Sequence, residues 1–171
     1  TVAAALMWLY LYAGMGANAP SSAAPDGPFL RIFVSFGLIA FYVLTYLCPA
    51  VLGRRSLRLP TAIALMAVLG AGILLEAVQP DIFSGAPVSY LSFFFQGICL
   101  GFAYAQMGVF LFLLSGRAAA ISLSAAMTAA ALGNLLIGAT VPLLADCLLK
   151  GALIVSIALF LRIPFSDEPR I

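Results

Sequence analysis

Between Asp81 and Arg117 no residue carries a charge, and the stretch includes Leu91–Leu114, "LSFFFQGICLGFAYAQMGVFLFLL". A helix that long and that apolar buries itself in lipid, because about 20 apolar residues cover the hydrocarbon core. Comparable apolar runs recur along the chain, which is 64% hydrophobic and 8% charged. Soluble domains are about 45–50% apolar and about 25% charged. The 171 residues have room for about six spans of roughly 20 residues with short turns. The expected fold class is an all-α integral membrane protein, one six-helix bundle with no second domain.

Punctuation divides the bundle. Helices are expected over about 1–16, 29–51, 60–78, 88–115, 118–139 and 143–163. The segment "ANAPSSAAPDGP" reads as a surface loop, and "RRSLRL" as a tight polar turn. Pro60 then suits the first position of the third helix. The border between the last two helices is blurred within "GATVPLLADCLLKG". Residues 164–171 form a polar tail or linker. The chain starts at Thr1 inside an apolar run, without a basic n-region or cleavage site. That reads as a fragment whose first helix has lost its leading turns.

With a net charge of only +2, the placement of charges matters more than their sum. Six basic residues (Arg54, Arg55, Arg58, Arg117, Arg162 and Arg170) fall in the turns after helices two, four and six, and two (Arg31 and Lys150) fall opposite. The positive-inside rule places the first group, and both termini, in the cytoplasm. The expected location is the plasma (inner) membrane.

Soluble enzyme chemistry has little to stand on. There is no histidine, no phosphate-cradling glycine loop and no C-x-x-C pair, since Cys48, Cys99 and Cys147 stand alone. No catalytic residue, metal, cofactor or disulfide is expected, and no contact of this segment with nucleic acid.

The fourth helix has two faces. Gly97, Gly101, Ala105 and Gly108 form a stripe within about 80° of arc, over which another backbone can approach closely. Ser92, Gln96 and Gln106 lie on the other side with Phe95 and Phe110. In the fifth helix Ala126, Ala130, Asn134 and Gly138 recur every four residues, beside Ser124 and Thr128. Two readings stand for the amides and hydroxyls: hydrogen bonds across helices, or the lining of a polar cavity by Gln96, Gln106 and Asn134. Asp146 and Lys150 are an i,i+4 pair. Lys150 either snorkels to the interface or, with an early helix start, approaches mid-membrane as a substrate or proton site. Glu76 and Asp81 are expected to be solvated at the outer end of the third helix. Trp8, Tyr10 and Tyr12 read as packing or interface aromatics.

Six helices with both ends inside, a basic turn between the second and third, and a long glycine-rich fourth helix resemble one half of a major facilitator superfamily transporter. The segment "SGRAAAISLSAAMTAAALGNLLIGATVP" looks like that family's entry into its small-residue fifth helix. The family's turn has the form G-x-x-x-D-R-x-G-R-R. Gly53, Arg54 and Arg55 match its last three positions, whereas Ala50, Val51 and Tyr46 replace the acidic residue, the arginine and the first glycine. Asn134 follows Gly133 where antiporter members often have Gly-Pro. A worn motif of this kind suits the carboxy-terminal half.

The resemblance implies transport of a small solute by alternating access, with a second six-helix half, covalent or as a dimer, and a central site to which Ser92, Gln96 and Gln106 contribute. With Glu76 near a helix end, no carboxylate is securely deep in the membrane, which favours facilitated or neutral-solute transport over proton coupling. The alternative is the membrane-embedded sensor of a transcription regulator, with a cytoplasmic output domain beyond the tail.

Overall fold

The computed structural model describes residues 2–15, 27–49, 55–78, 86–137 and 142–162. Those residues form six helices and no strand: α1 Val2–Met15, α2 Gly27–Leu47, α3 Arg55–Val78, α4 Ala86–Leu113, α5 Gly116–Ile137 and α6 Pro142–Leu161. Four helices are long and apolar enough to cross a bilayer, over Ser56–Val78, Pro87–Leu113, Gly116–Ile137 and Leu144–Leu161. The apolar stretches Val2–Leu11 and Ile32–Leu47 are shorter. Large apolar side chains such as Phe36, Ile39, Leu135 and Leu136 are exposed, as expected of surfaces that meet lipid rather than water.

Boundaries agree with the sequence to within a few residues, with one substantive difference. "RRSLRL" is not a tight polar turn, because α3 already starts at Arg55. Pro60 therefore lies inside the helix, where its missing N–H leaves the Ser56 carbonyl without its ordinary intrahelical donor. One turn of helix is gained in exchange, and it carries Arg58 into the protein. Arg58 is buried, and its guanidinium donates to the Phe160 carbonyl at 2.7 Å. That carbonyl belongs to the last turn of α6, one of the groups a helix end leaves unsatisfied, and a cation is the favoured partner there. The start of α3 and the end of α6 thus lie together, as the charge count expects. Pro142 opens α6, a position where the missing N–H costs nothing.

The helices pair in a regular pattern. α2 lies along α4 and α5 along α1; α6 packs on α1 and α3; α4 touches α3, α6 and, narrowly, α1. Exchanging helices one to three with four to six maps the α2–α4 contact onto α5–α1 and the α1–α6 contact onto α4–α3. The α3–α6 and α1–α4 contacts map onto themselves. Only α4–α6 lacks its counterpart among the principal contacts. The pairing of helices one to three thus largely mirrors that of helices four to six.

Two glycines make the tightest seam. A Cβ on Gly37 would overlap the Phe94 carbonyl oxygen, and one on Gly97 the Val34 carbonyl oxygen. α2 and α4 therefore touch backbone to backbone. Gly101 accommodates the Phe41 ring, whose atoms a Cβ would meet at 2.7 Å. Ala105 is half-buried against the core. Gly108 departs from the expected stripe: it is exposed, and a Cβ there meets no described atom within 4 Å. In α5, Ala126 and Ala130 are buried and Gly133 faces Leu9 of α1. Gly138 lies outside the described residues. Among the described residues Thr128 makes no cross-helix bond of the kind expected; it donates to Ser124 O of its own helix at 2.9 Å, as threonines often do within helices.

Candidate functional site

Three charged residues of the helices, Glu76, Asp146 and Lys150, converge. Lys150 is the ninth residue of α6, about 12 Å from its start at 1.5 Å per residue, and is 3% exposed. Its ammonium is turned into the bundle. It pairs with Asp146 one turn back, at 2.5 Å, and with Glu76 of α3. Glu76 is accordingly not solvated at the interface as expected: its side chain is mostly buried against Lys150. The reason is geometric. α3 and α6 pack together, so the end of one lies beside the beginning of the other, and a Lys side chain spans the remaining gap. Asp81 lies outside the described residues.

A second polar group sits beside this cluster. Gln96 of α4 is buried; its Oε1 accepts from the Tyr10 hydroxyl of α1 at 2.6 Å, and its Nε2 donates to Ser92 Oγ at 3.3 Å. Tyr10 is thus a polar partner as well as a packing aromatic. α4 turns Gly97 and Gly101 to α2, while Gln96 reaches Tyr10 of α1.

Between α3 and α4 a crevice of about 140 Å³ opens, lined by Val68, Leu69, Gly72, Val88, Leu91, Ser92, Phe95, Gln96 and Lys150. A cavity of about this size takes a ligand of roughly the bulk of benzene. Its walls are aliphatic and aromatic, and the polar groups Ser92, Gln96 and Lys150 converge on it. Apolar walls that enclose a few oriented polar groups are the usual composition of a small-molecule site. A charge this deep is costly and calls for partners or a purpose.

The structure therefore brings Ser92, Gln96 and Lys150 together and leaves two other candidates elsewhere. Asn134 is half-buried on α5, whose principal neighbour is α1, and no α5 residue lines the crevice. Gln106 is 1% exposed, and neither its Oε1 nor its Nε2 has a hydrogen-bond partner among the described residues; it is absent from the crevice wall. Gly53 and Arg54 lie outside the described residues, and Arg55 opens α3 with its side chain likewise outside them. Glu76 and Tyr10 join the site without having been candidates. One signal in the sequence pointed to Glu76: Lys150 has a single carboxylate on its own helix, and Glu76 is the other carboxylate on an apolar helix.

The Tyr10–Gln96 bond makes a direct prediction. Tyr10→Phe leaves Gln96 Oε1 buried without its donor and is expected to destabilise the bundle by about 1–3 kcal/mol. A lowered unfolding midpoint in detergent or nanodiscs checks it, and an unchanged midpoint refutes the bond.

No protein-family model, curated protein or solved structure matches this chain.

Proposed function

We propose that the chain is a half-module of a secondary transporter that moves a small solute by alternating access. The observation that carries this reading is where the polar groups gather. Tyr10–Gln96 joins α1 to α4, and Glu76–Lys150 joins α3 to α6. These are the two contacts that map onto themselves when helices one to three are exchanged with four to six. Transporters built from repeats place substrate and coupling-ion sites at the interface between the repeats. Here the same seam borders a crevice with polar groups at its wall.

In this reading the crevice forms one wall of the central site. A second six-helix half, covalent or as a dimer, completes it and supplies the surface against which this half rocks. The small volume selects a small solute. Gln96, held by Tyr10, supplies an oriented amide; Ser92 supplies a hydroxyl; Lys150 supplies a cation fixed by two carboxylates; Phe95, Val68 and Leu91 contact the apolar part of the solute. Loose packing between α3 and α4 at the crevice lets solute enter without separating the backbone seam of α2 and α4. The assignment places the protein in the plasma (inner) membrane with both termini cytoplasmic, the side favoured by the basic turns.

The test is uptake of small solutes by the whole protein in proteoliposomes. Where uptake is found, Gln96→Ala is expected to lower it about tenfold, the equivalent of one lost hydrogen bond to the solute. Thr128→Ala, on the exposed side of α5, is expected to leave it unchanged. Saturable solute binding with no uptake at all would overturn the transporter reading in favour of a membrane-embedded sensor.

A further inference from the structure

The Glu76–Lys150–Asp146 cluster has an unequal charge count: two carboxyl groups share one ammonium. Two oxygens bonded to one nitrogen lie within two hydrogen-bond lengths of each other, so the two carboxyl groups are close neighbours. Among the described residues, the groups that face them from the packed elements do not restore the balance. α1 contributes the Tyr10 hydroxyl, whose hydrogen goes to Gln96; α4 contributes Gln96 and Ser92, which are neutral; α6 adds the thiol of Cys147. Arg58 of α3, which is also buried, sits at the far end of that helix from Glu76, on the Phe160 carbonyl. Among the described residues, then, fully ionised carboxyls would leave one negative charge uncompensated in a mostly buried site, an arrangement proteins avoid by pairing or by neutralising the group.

We propose that Glu76 and Asp146 together hold one exchangeable proton, and that Lys150 links it to the crevice. Resting on the transporter reading, this proton is the coupling ion of the cycle. The step is an acid–base exchange: one carboxylic O–H breaks to release the proton to water, leaving a carboxylate, and reforms when a proton is taken up. With one proton present, the ammonium and the remaining carboxylate balance and the site is neutral. Without it, the site carries one negative charge and draws either a proton or water into the crevice. Opening and closing of the crevice against the second half thereby becomes dependent on protonation. The arrangement also revises the expectation of neutral-solute transport, which followed from treating Glu76 as solvated.

Infrared spectra of the whole protein in nanodiscs test this without a known solute. The wild-type protein is expected to show a protonated-carboxyl C=O band at neutral pH that is lost on alkaline titration. Glu76→Gln and Asp146→Asn are each expected to lose that band, because a single remaining carboxylate balances Lys150. Absence of the band from the wild-type protein, or its survival in both single variants, overturns the proposal. Because the wild-type titration needs no substitution, misfolding of a variant does not obscure the result. A band with this behaviour in a protein that takes up no solute upholds the proton site while removing the transporter reading; uptake without the band removes the proton site alone.

Discussion

Lys150→Met is expected to destabilise the bundle by about 3–5 kcal/mol, the cost of removing one partner from a buried ion cluster and leaving the other charge uncompensated. Methionine nearly matches lysine in length and packs well in apolar surroundings, so the loss reports charge rather than volume. Both carboxyl groups are affected, because Asp146 and Glu76 depend on the same ammonium. The triple variant Lys150→Met, Glu76→Gln, Asp146→Asn is expected to recover most of the loss, since replacing a whole buried ionic group by neutral residues is often close to neutral in stability. Unfolding of the four proteins (wild type, Lys150→Met, the double carboxyl variant and the triple variant) measures the coupling as a mutant cycle. Equal losses in Lys150→Met and in the triple variant would show that the lysine acts through packing alone.

The sequence carried the helices well and the partnerships between them poorly. Hydropathy and turn residues place six helices because they depend on neighbours within one helix, and the i,i+4 spacing of Asp146 and Lys150 puts these on one face for the same reason. Glu76 and Lys150 are 74 positions apart, and Tyr10 and Gln96 are 86 apart. What joins them is the relative height and rotation of packed helices, and periodicity gives a residue's direction on its helix without giving its partner. Glu76 near a helix end resembled a solvated interfacial acid for that reason. Arg58 shows the complementary error. Counted as a turn residue, it marked a side of the membrane; one extra turn of α3 makes it a buried donor to α6, while its position at that end of the bundle still agrees with the charge count. Asn134 belonged to a small-residue row whose neighbours Ala126 and Ala130 do pack, yet the row faces α1 and not the crevice.

Gly97→Ala is expected to lower stability by about 1–3 kcal/mol, the usual range for overpacking, and Gly108→Ala to leave stability within about 0.5 kcal/mol of wild type, although both glycines belong to one stripe of α4. The contrast follows from what each faces. An added Cβ at position 97 runs into the Val34 carbonyl, and backbone cannot rotate away as a side chain can; α2 must move off α4 as a body. The displacement also pulls Phe33 from its stack on Tyr90, where the rings lie 4.5 Å apart and nearly parallel, and Phe41 from Phe102. Gly37→Ala meets the Phe94 carbonyl from the other helix and is expected to cost a similar amount. Because either substitution already forces the helices apart, the double variant should cost clearly less than the sum of the two, as neighbouring sites do when they share one relaxation. Gly101→Ala is intermediate, since it meets the Phe41 ring, which can shift. Unfolding midpoints of these variants rank the glycines of α4 by contact. Equal effects at positions 97 and 108 would mean that α2 does not lie on α4, and the seam opposite the crevice would have to be redrawn.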